Sequence, residues 1–135
     1  MADSFKFELV SPERLLISED AEQVILPGSE GEMTVLAKHA PVMTTIRPGV
    51  VTVKPLSGSE QRYAVFGGFA DILPESCTLL AESAVPVDEL DREDLQRRIE
   101  AARREAETAE NAEARSRAEL FLHQLTALEN AVIPA

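Results

Sequence analysis

The sequence predicts an N-terminal all-β sandwich of about nine to ten short strands followed by a C-terminal α-helical hairpin. Three observations point that way. All six glycines and seven of the eight prolines precede residue 87. Up to that point β-rich runs recur at intervals of roughly 8–12 residues, with turn residues between them. From Asp88 onward the chain is rich in Ala, Glu and Arg, has no glycine, and spaces its apolar residues as a helix does. The expected division is therefore residues 1–87 and residues 88–135, with Pro86 at the junction.

Taken in order, Phe5, Phe7 and Leu9 alternate with Lys6, Glu8 and Val10, the period of a half-buried strand. Further strands are expected at Leu15–Ser18, Val24–Pro27, Met33–Leu36, Met43–Ile46, Val50–Lys54, Arg62–Phe66, Phe69–Leu73 and Thr78–Glu82. Pro27-Gly28, Pro48-Gly49, Ser57-Gly58, Gly67-Gly68 and Pro74-Glu75 read as the turns between them. Asp88 is the expected N-cap of the first helix, with Glu89, Asp91, Glu93 and Asp94 at the positive end of its dipole. Leu95, Ile99, Ala102, Ala106 and Ala109 form one apolar stripe; Ala118, Phe121, Leu122, Leu125, Leu128 and Val132 form a second. The turn between the helices is expected at Thr108–Ala112, where nothing compels a break and one continuous helix is the alternative. Pairs Glu93–Arg97, Asp94–Arg98, Glu100–Arg104 and Glu113–Arg117 contribute only about 0.2–0.5 kcal/mol each. So the helices need a packing partner, and the hairpin is expected to be the mobile part.

Composition narrows the function. Twenty-four acidic against 13 basic side chains leave a net charge of −11, which repels nucleic-acid backbones and anionic headgroups. The N-terminus lacks the basic start and apolar run of a signal peptide, and no apolar stretch approaches the length of a membrane helix. A soluble protein of a reducing compartment is expected. The single cysteine, Cys77, excludes an internal disulfide and reads as a small buried hydrophobe.

No catalytic constellation emerges. There is no phosphate-binding loop, and Gly28-x-x-Gly31 is flanked by Glu30 and Glu32, which repel anions. His39 and His123 have no second ligand at metal-site spacing, and His39 has no serine or cysteine in a recognised nucleophile context. Neither a metal nor another cofactor is expected. Arg97, Arg98, Arg103, Arg104, Arg115 and Arg117 either grip an acidic protein surface or pair with glutamates of their own helices. A competing reading, a small β-sandwich hydrolase, would have to rest on His39.

The run Pro27-Gly-Ser-Glu-Gly-Glu-Met-Thr-Val-Leu-Ala-Lys-His-Ala-Pro41 resembles the signature of the epsilon subunits of F-type ATP synthases. Val10-Ser11-Pro12, Pro48-Gly49-Val50, Gly67-Gly68-Phe69 and Leu80-Ala81-Glu82-Ser83-Ala84 follow in the family's order, so the resemblance spans the chain. It implies a non-catalytic rotor part of the central stalk, coupling proton flow through the c ring to ATP synthesis in the catalytic head. The sandwich is then expected to bind the gamma subunit, and Glu30, Glu32, His39 and Pro41 to face the c-subunit ring. The hairpin is expected to regulate hydrolysis by swinging out, with Arg103, Arg104, Arg115 and Arg117 meeting the alpha and beta subunits transiently. The protein would lie at the cytoplasmic face of a bacterial inner membrane, attached only through the complex. Several relatives bind ATP through an Ile/Leu-Asp-x-x-Arg-Ala motif, whereas here Leu90-Asp91-Arg92-Glu93 runs into Asp94-Leu95. An acid in place of the arginine weighs against the alternative of a nucleotide-sensing regulator.

Overall fold

In a computed structural model that describes residues 3–132, seven strands precede two helices. The strands are β1 (Phe5–Ser11), β2 (Arg14–Gly28), β3 (Gly31–Leu36), β4 (Val42–Pro55), β5 (Gln61–Leu73), β6 (Ser76–Ala81) and β7 (Ala84–Pro86). A single 3-10 turn at Val87–Glu89 leads to α1 (Arg92–Glu107) and α2 (Ala112–Val132). Pro134 lies outside the described residues.

The sheet closes on itself. β1 pairs with β6, β6 with β5, β5 with β4, β4 with β2, and β2 returns to β1; β3 hangs from β2 and the three-residue β7 from β5. Only β1 and β6 run parallel. The inner faces hold one dry core in which Phe5, Phe7 and Leu9 are buried, as the alternation requires. Cys77 is buried in that core, and burial, reinforced by Asp71, pushes its thiol up to about 12. It is an inert space-filler.

The strand count differs from expectation for a physical reason. Three pairs of expected short strands are continuous: β2 joins Leu15–Ser18 to Val24–Pro27, β4 joins Met43–Ile46 to Val50–Lys54, and β5 joins Arg62–Phe66 to Phe69–Leu73. Each long strand breaks its inside–outside alternation along its length. In β5, Val65 faces the core before Gly67-Gly68, and Ala70 and Ile72 face it after. In β4, Ile46 is inside before Pro48-Gly49, and Val51 and Val53 after. In β2, Ile17 and Ala21 give way to Val24 and Leu26 across a register shift. Such irregularities let one strand serve both layers of a flattened closed sheet. Pro48-Gly49 and Gly67-Gly68 are therefore bends within strands, not turns between them.

The hairpin covers one outer face of this sheet. Ala64 and Phe66 of β5 meet Leu95, Ile99, Ala102, Leu125 and Leu128 in a second apolar cluster, with Val50 and Val85 at its edge. Of the expected stripe residues, Leu95, Ile99, Ala102, Ala118, Leu125 and Leu128 are buried, while Phe121 stays 37% exposed. The N-cap is Asp91, not Asp88. Its carboxylate accepts from Glu93 N–H at 2.9 Å, because Val87–Glu89 closes its own turn through Leu90 N–H to Val87 O (3.2 Å) before the helix begins. The interhelical turn falls where expected, with Thr108 closing α1 and Asn111 Oδ1 accepting from Ala114 N–H at 2.8 Å. Asp94–Arg98 (3.1 Å) and Glu113–Arg117 (3.2 Å) form as expected. Arg97 pairs with Asp94 rather than Glu93, and Glu100 pairs with Arg103 rather than Arg104.

Candidate protein-interaction surfaces

Where β5 passes Gly67-Gly68, its outward side chains leave the shelter of the hairpin. Phe66 is covered by helices; Phe69 and Leu73, on the far side of the bend, are 39% and 38% exposed. Register then lines up a row across neighbouring strands. Phe69 pairs with Leu80 of β6, Leu80 with Val10 of β1, and Val10 with Leu15 of β2. Leu80 and Leu15 are 52% and 55% exposed. Leu15 joins the row only because a bulge opposite Leu9–Val10 sends Leu16 to the core and turns Leu15 outward. The next row, Met43, Asp71, Thr78, Glu8 and Ser18, is mostly polar. On the other flank Glu13, Arg14, Glu82 and Ser83 line an open cleft. An apolar strip edged by polar residues on a rigid sheet is the anatomy of a protein-binding face. It escaped sequence reading because its members come from four strands and depend on one bulge and one bend.

The four residues singled out from the signature run fall at two ends of one strand. Glu30 and Glu32 border the β2–β3 turn, where Arg47 Nε donates to Gly28 O at 3.0 Å. Glu32 also lines a small cleft against Ala127, Leu128 and Ala131 of α2. His39 and Pro41 lie beyond the other end of β3, in a loop whose Lys38 has a positive φ and donates its N–H to Pro74 O at 2.8 Å. β3, about 17 Å from end to end, thus has Glu30 and Glu32 near one end and His39 and Pro41 beyond the other. His39 Nδ1 is 2.7 Å from Ala40 O, so the imidazole is engaged with its own loop. Among the described residues no three His, Cys, Asp or Glu side chains converge as a metal site would need.

Arg103 and Arg104 lie near the C-terminal end of α1, and Arg115 and Arg117 near the N-terminal end of α2, on either side of the hairpin turn. Arg103 and Arg117 are paired with Glu100 and Glu113 at exposed positions. Arg104 and Arg115 have no carboxylate partner among the described residues. Beside them Ala109, Ala114, Ala118 and Phe121 line an open notch of about 360 Å³. The altered motif position, Asp94, is held by arginines of its own helix, Arg98 at 3.1 Å and Arg97 at 3.6 Å. One arginine goes further than helical spacing suggests. Arg98 reaches the sheet, its guanidinium 3.9 Å from the centre of the Phe66 ring.

A closed β-sheet carrying a docked hairpin and a rigid apolar outer row has the architecture of a subunit built for protein contacts. Residues 4–87 match the family described as the ATP synthase Delta/Epsilon chain, beta-sandwich domain. The ATP synthase epsilon chain of Mesorhizobium japonicum is 67% identical over 135 residues, covering 100% of both chains. That of Rhizobium etli is 64% identical over 132 residues, covering 98% of each. Among solved structures, the Euglena gracilis mitochondrial ATP synthase (OSCP/F1/c-ring) contains a chain with TM-score 0.75 and 27% identity, over 96% of this chain and 81% of that one. A chain of the Tetrahymena thermophila mitochondrial ATP synthase central stalk and c ring shares the fold, with TM-score 0.70 at 12% identity over 96% and 97%. The chain belongs to the ATP synthase epsilon family and is a non-catalytic stalk subunit. No described helix is long and apolar enough to cross a membrane.

Proposed function

We propose that this subunit couples rotation by gripping the gamma subunit through the apolar row Phe69–Leu80–Val10–Leu15 and meeting the c ring through its charged loops. The row carries the reading. Phe69, Leu80 and Leu15 are exposed, Val10 links them in register, and all four stand on hydrogen-bonded strands. A net charge of −11 opposes chance association, so partners are chosen where burial or complementary charge outweighs that repulsion. Glu30 and Glu32 offer carboxylates to basic groups of the c-subunit loops, with His39 and Pro41 as a second contact beyond the other end of β3. Arg104 and Arg115 at the hairpin tip suit acidic loops of the alpha and beta subunits, reached when the hairpin extends. The complex sits at the cytoplasmic face of a bacterial inner membrane, as the relatives' bacterial origin supports.

Two experiments test this division of labour. A chain ending at Val87 is expected to keep a cooperative thermal transition and to bind purified gamma within about threefold of the full chain, because the core of the sheet contains no helix residue. A molten fragment, or one that no longer binds gamma, overturns it. For the c-ring contact, Glu32→Lys is expected to weaken attachment to membranes carrying c rings by about tenfold, as a reversed rim charge does, while Glu60→Lys on the β4–β5 loop does not. Equal loss from both variants means that Glu32 is not at the contact.

A further inference from the structure

We infer that Arg98 is the strap that fastens α1 to the sheet and sets how readily the hairpin leaves it. α2 lies along β4, whereas α1 packs chiefly on α2 and meets the sheet at a short stretch. There Leu95, Ile99 and Ala102 share an apolar cluster with Phe66, which is 4% exposed. The Arg98 guanidinium stacks over the Phe66 ring at 3.9 Å from its centre. Its Nη2 donates to Ser83 Oγ at 3.3 Å, on the segment joining β6 to β7, and its Nε donates to Asp94 Oδ2 at 3.1 Å. One planar fork thus joins a helix to two separate parts of the sheet domain, a geometry that a lysine cannot reproduce.

The three contacts differ in what release does to them. Asp94 is one helical turn from Arg98 on the same helix, so that pair survives when α1 lifts. The Phe66 and Ser83 contacts exist only in the docked state, and only contacts that differ between states bias the equilibrium between them. Asp94 aims the guanidinium; Phe66 and Ser83 hold it. Leu95 and Ile99 supply apolar burial that is indifferent to ring electrostatics, whereas the cation over the ring face depends on the aromatic quadrupole. The strap concerns the docked hairpin alone and stands whichever partner the released helices meet.

Amide hydrogen exchange on the full chain reads the equilibrium directly. Arg98→Ala is expected to speed exchange across residues 95–106 about tenfold while leaving β5 and β6 unchanged, and Arg98→Lys to fall between it and the parent. Phe66→Leu, which keeps apolar bulk without a ring, is expected to act like Arg98→Ala, and the double variant to go no further than either. Ser83→Ala gives a smaller change in the same direction, with the sheet packing untouched. Exchange within twofold of the parent in Arg98→Ala overturns the proposal. So does an equal rise in helices and strands, which would make Arg98 a contributor to global stability only, or multiplicative effects of the Arg98 and Phe66 variants.

Discussion

Replacing Phe69 and Leu80 together by glutamate is expected to abolish gamma binding at micromolar concentrations while leaving the fold intact. The two side chains face each other across β5 and β6 and stand 39% and 52% exposed, so neither fills the core. On the proposed interface their contribution is to the partner. A buried aromatic anchor at the centre of a protein interface is worth about 2–4 kcal/mol, and a carboxylate forced into the same pocket adds its own desolvation cost. A Kd raised at least about 100-fold, equivalent to roughly 2.7 kcal/mol, follows for the pair. The stability of the isolated chain should change by less than about 1 kcal/mol, as for surface substitutions in general. Leu120→Glu is the control. Leu120 is 57% exposed on α2, away from the row, and its loss should leave gamma binding unchanged. Calorimetric titration of each variant with purified gamma decides the matter. An unchanged affinity for the double variant, or equal weakening by Leu120→Glu, removes the row from the interface.

The sequence made the two-part architecture legible because both periods are clean: Phe5, Phe7 and Leu9 are all buried, and so are Leu95, Ile99 and Ala102. The joints were harder to see. Within β2, β4 and β5 the alternation fails, and a local pattern cannot tell a bend in one strand from a turn between two. Asp88 and Asp91 have the same capping chemistry, and the choice fell to the 3-10 turn at Val87–Glu89, set by tertiary packing of Val87 and Leu90. The interaction row was illegible for a further reason: Phe69, Leu80, Val10 and Leu15 are distant in sequence, and single exposed apolar residues carry no signal until register aligns them. Arg98 looked like one half of an i,i+4 pair, which it is, but its second role needs Phe66 beneath the helix.

Gly68 is the position where the largest loss of stability is expected. It pairs with Ile46 on one side and Ala81 on the other, at the point where β5 changes layers, so hydrogen-bonded strands hold it in place from both sides. A Cβ there would lie 2.3 Å from Leu80 O and 2.9 Å from Ala81 Cα, and the backbone φ of +149° is one that L side chains rarely adopt. Both obstacles are backbone atoms of β6, which cannot move without breaking the ladder that carries Leu80. Gly68→Ala should therefore cost about 3 kcal/mol or more, combining strain with forced displacement, and lower Tm by roughly 10 °C. Gly58→Ala isolates the strain alone: φ is +103°, but the nearest obstacle to a Cβ is Pro55 Cγ at 3.9 Å. About 1 kcal/mol is expected there. The contrast matters for function, because the same bend turns Phe66 toward the hairpin and Phe69 toward the outer row. Relief of the clash by straightening β5 would shift both at once, so the Gly68 variant should also bind gamma more weakly in proportion to the fraction unfolded or displaced. Urea denaturation of the two alanine variants is the test. A Gly68→Ala stability within 1 kcal/mol of the parent, or no greater loss than at Gly58, would show that the bend yields to a methyl group and does not fix which residues face which partner.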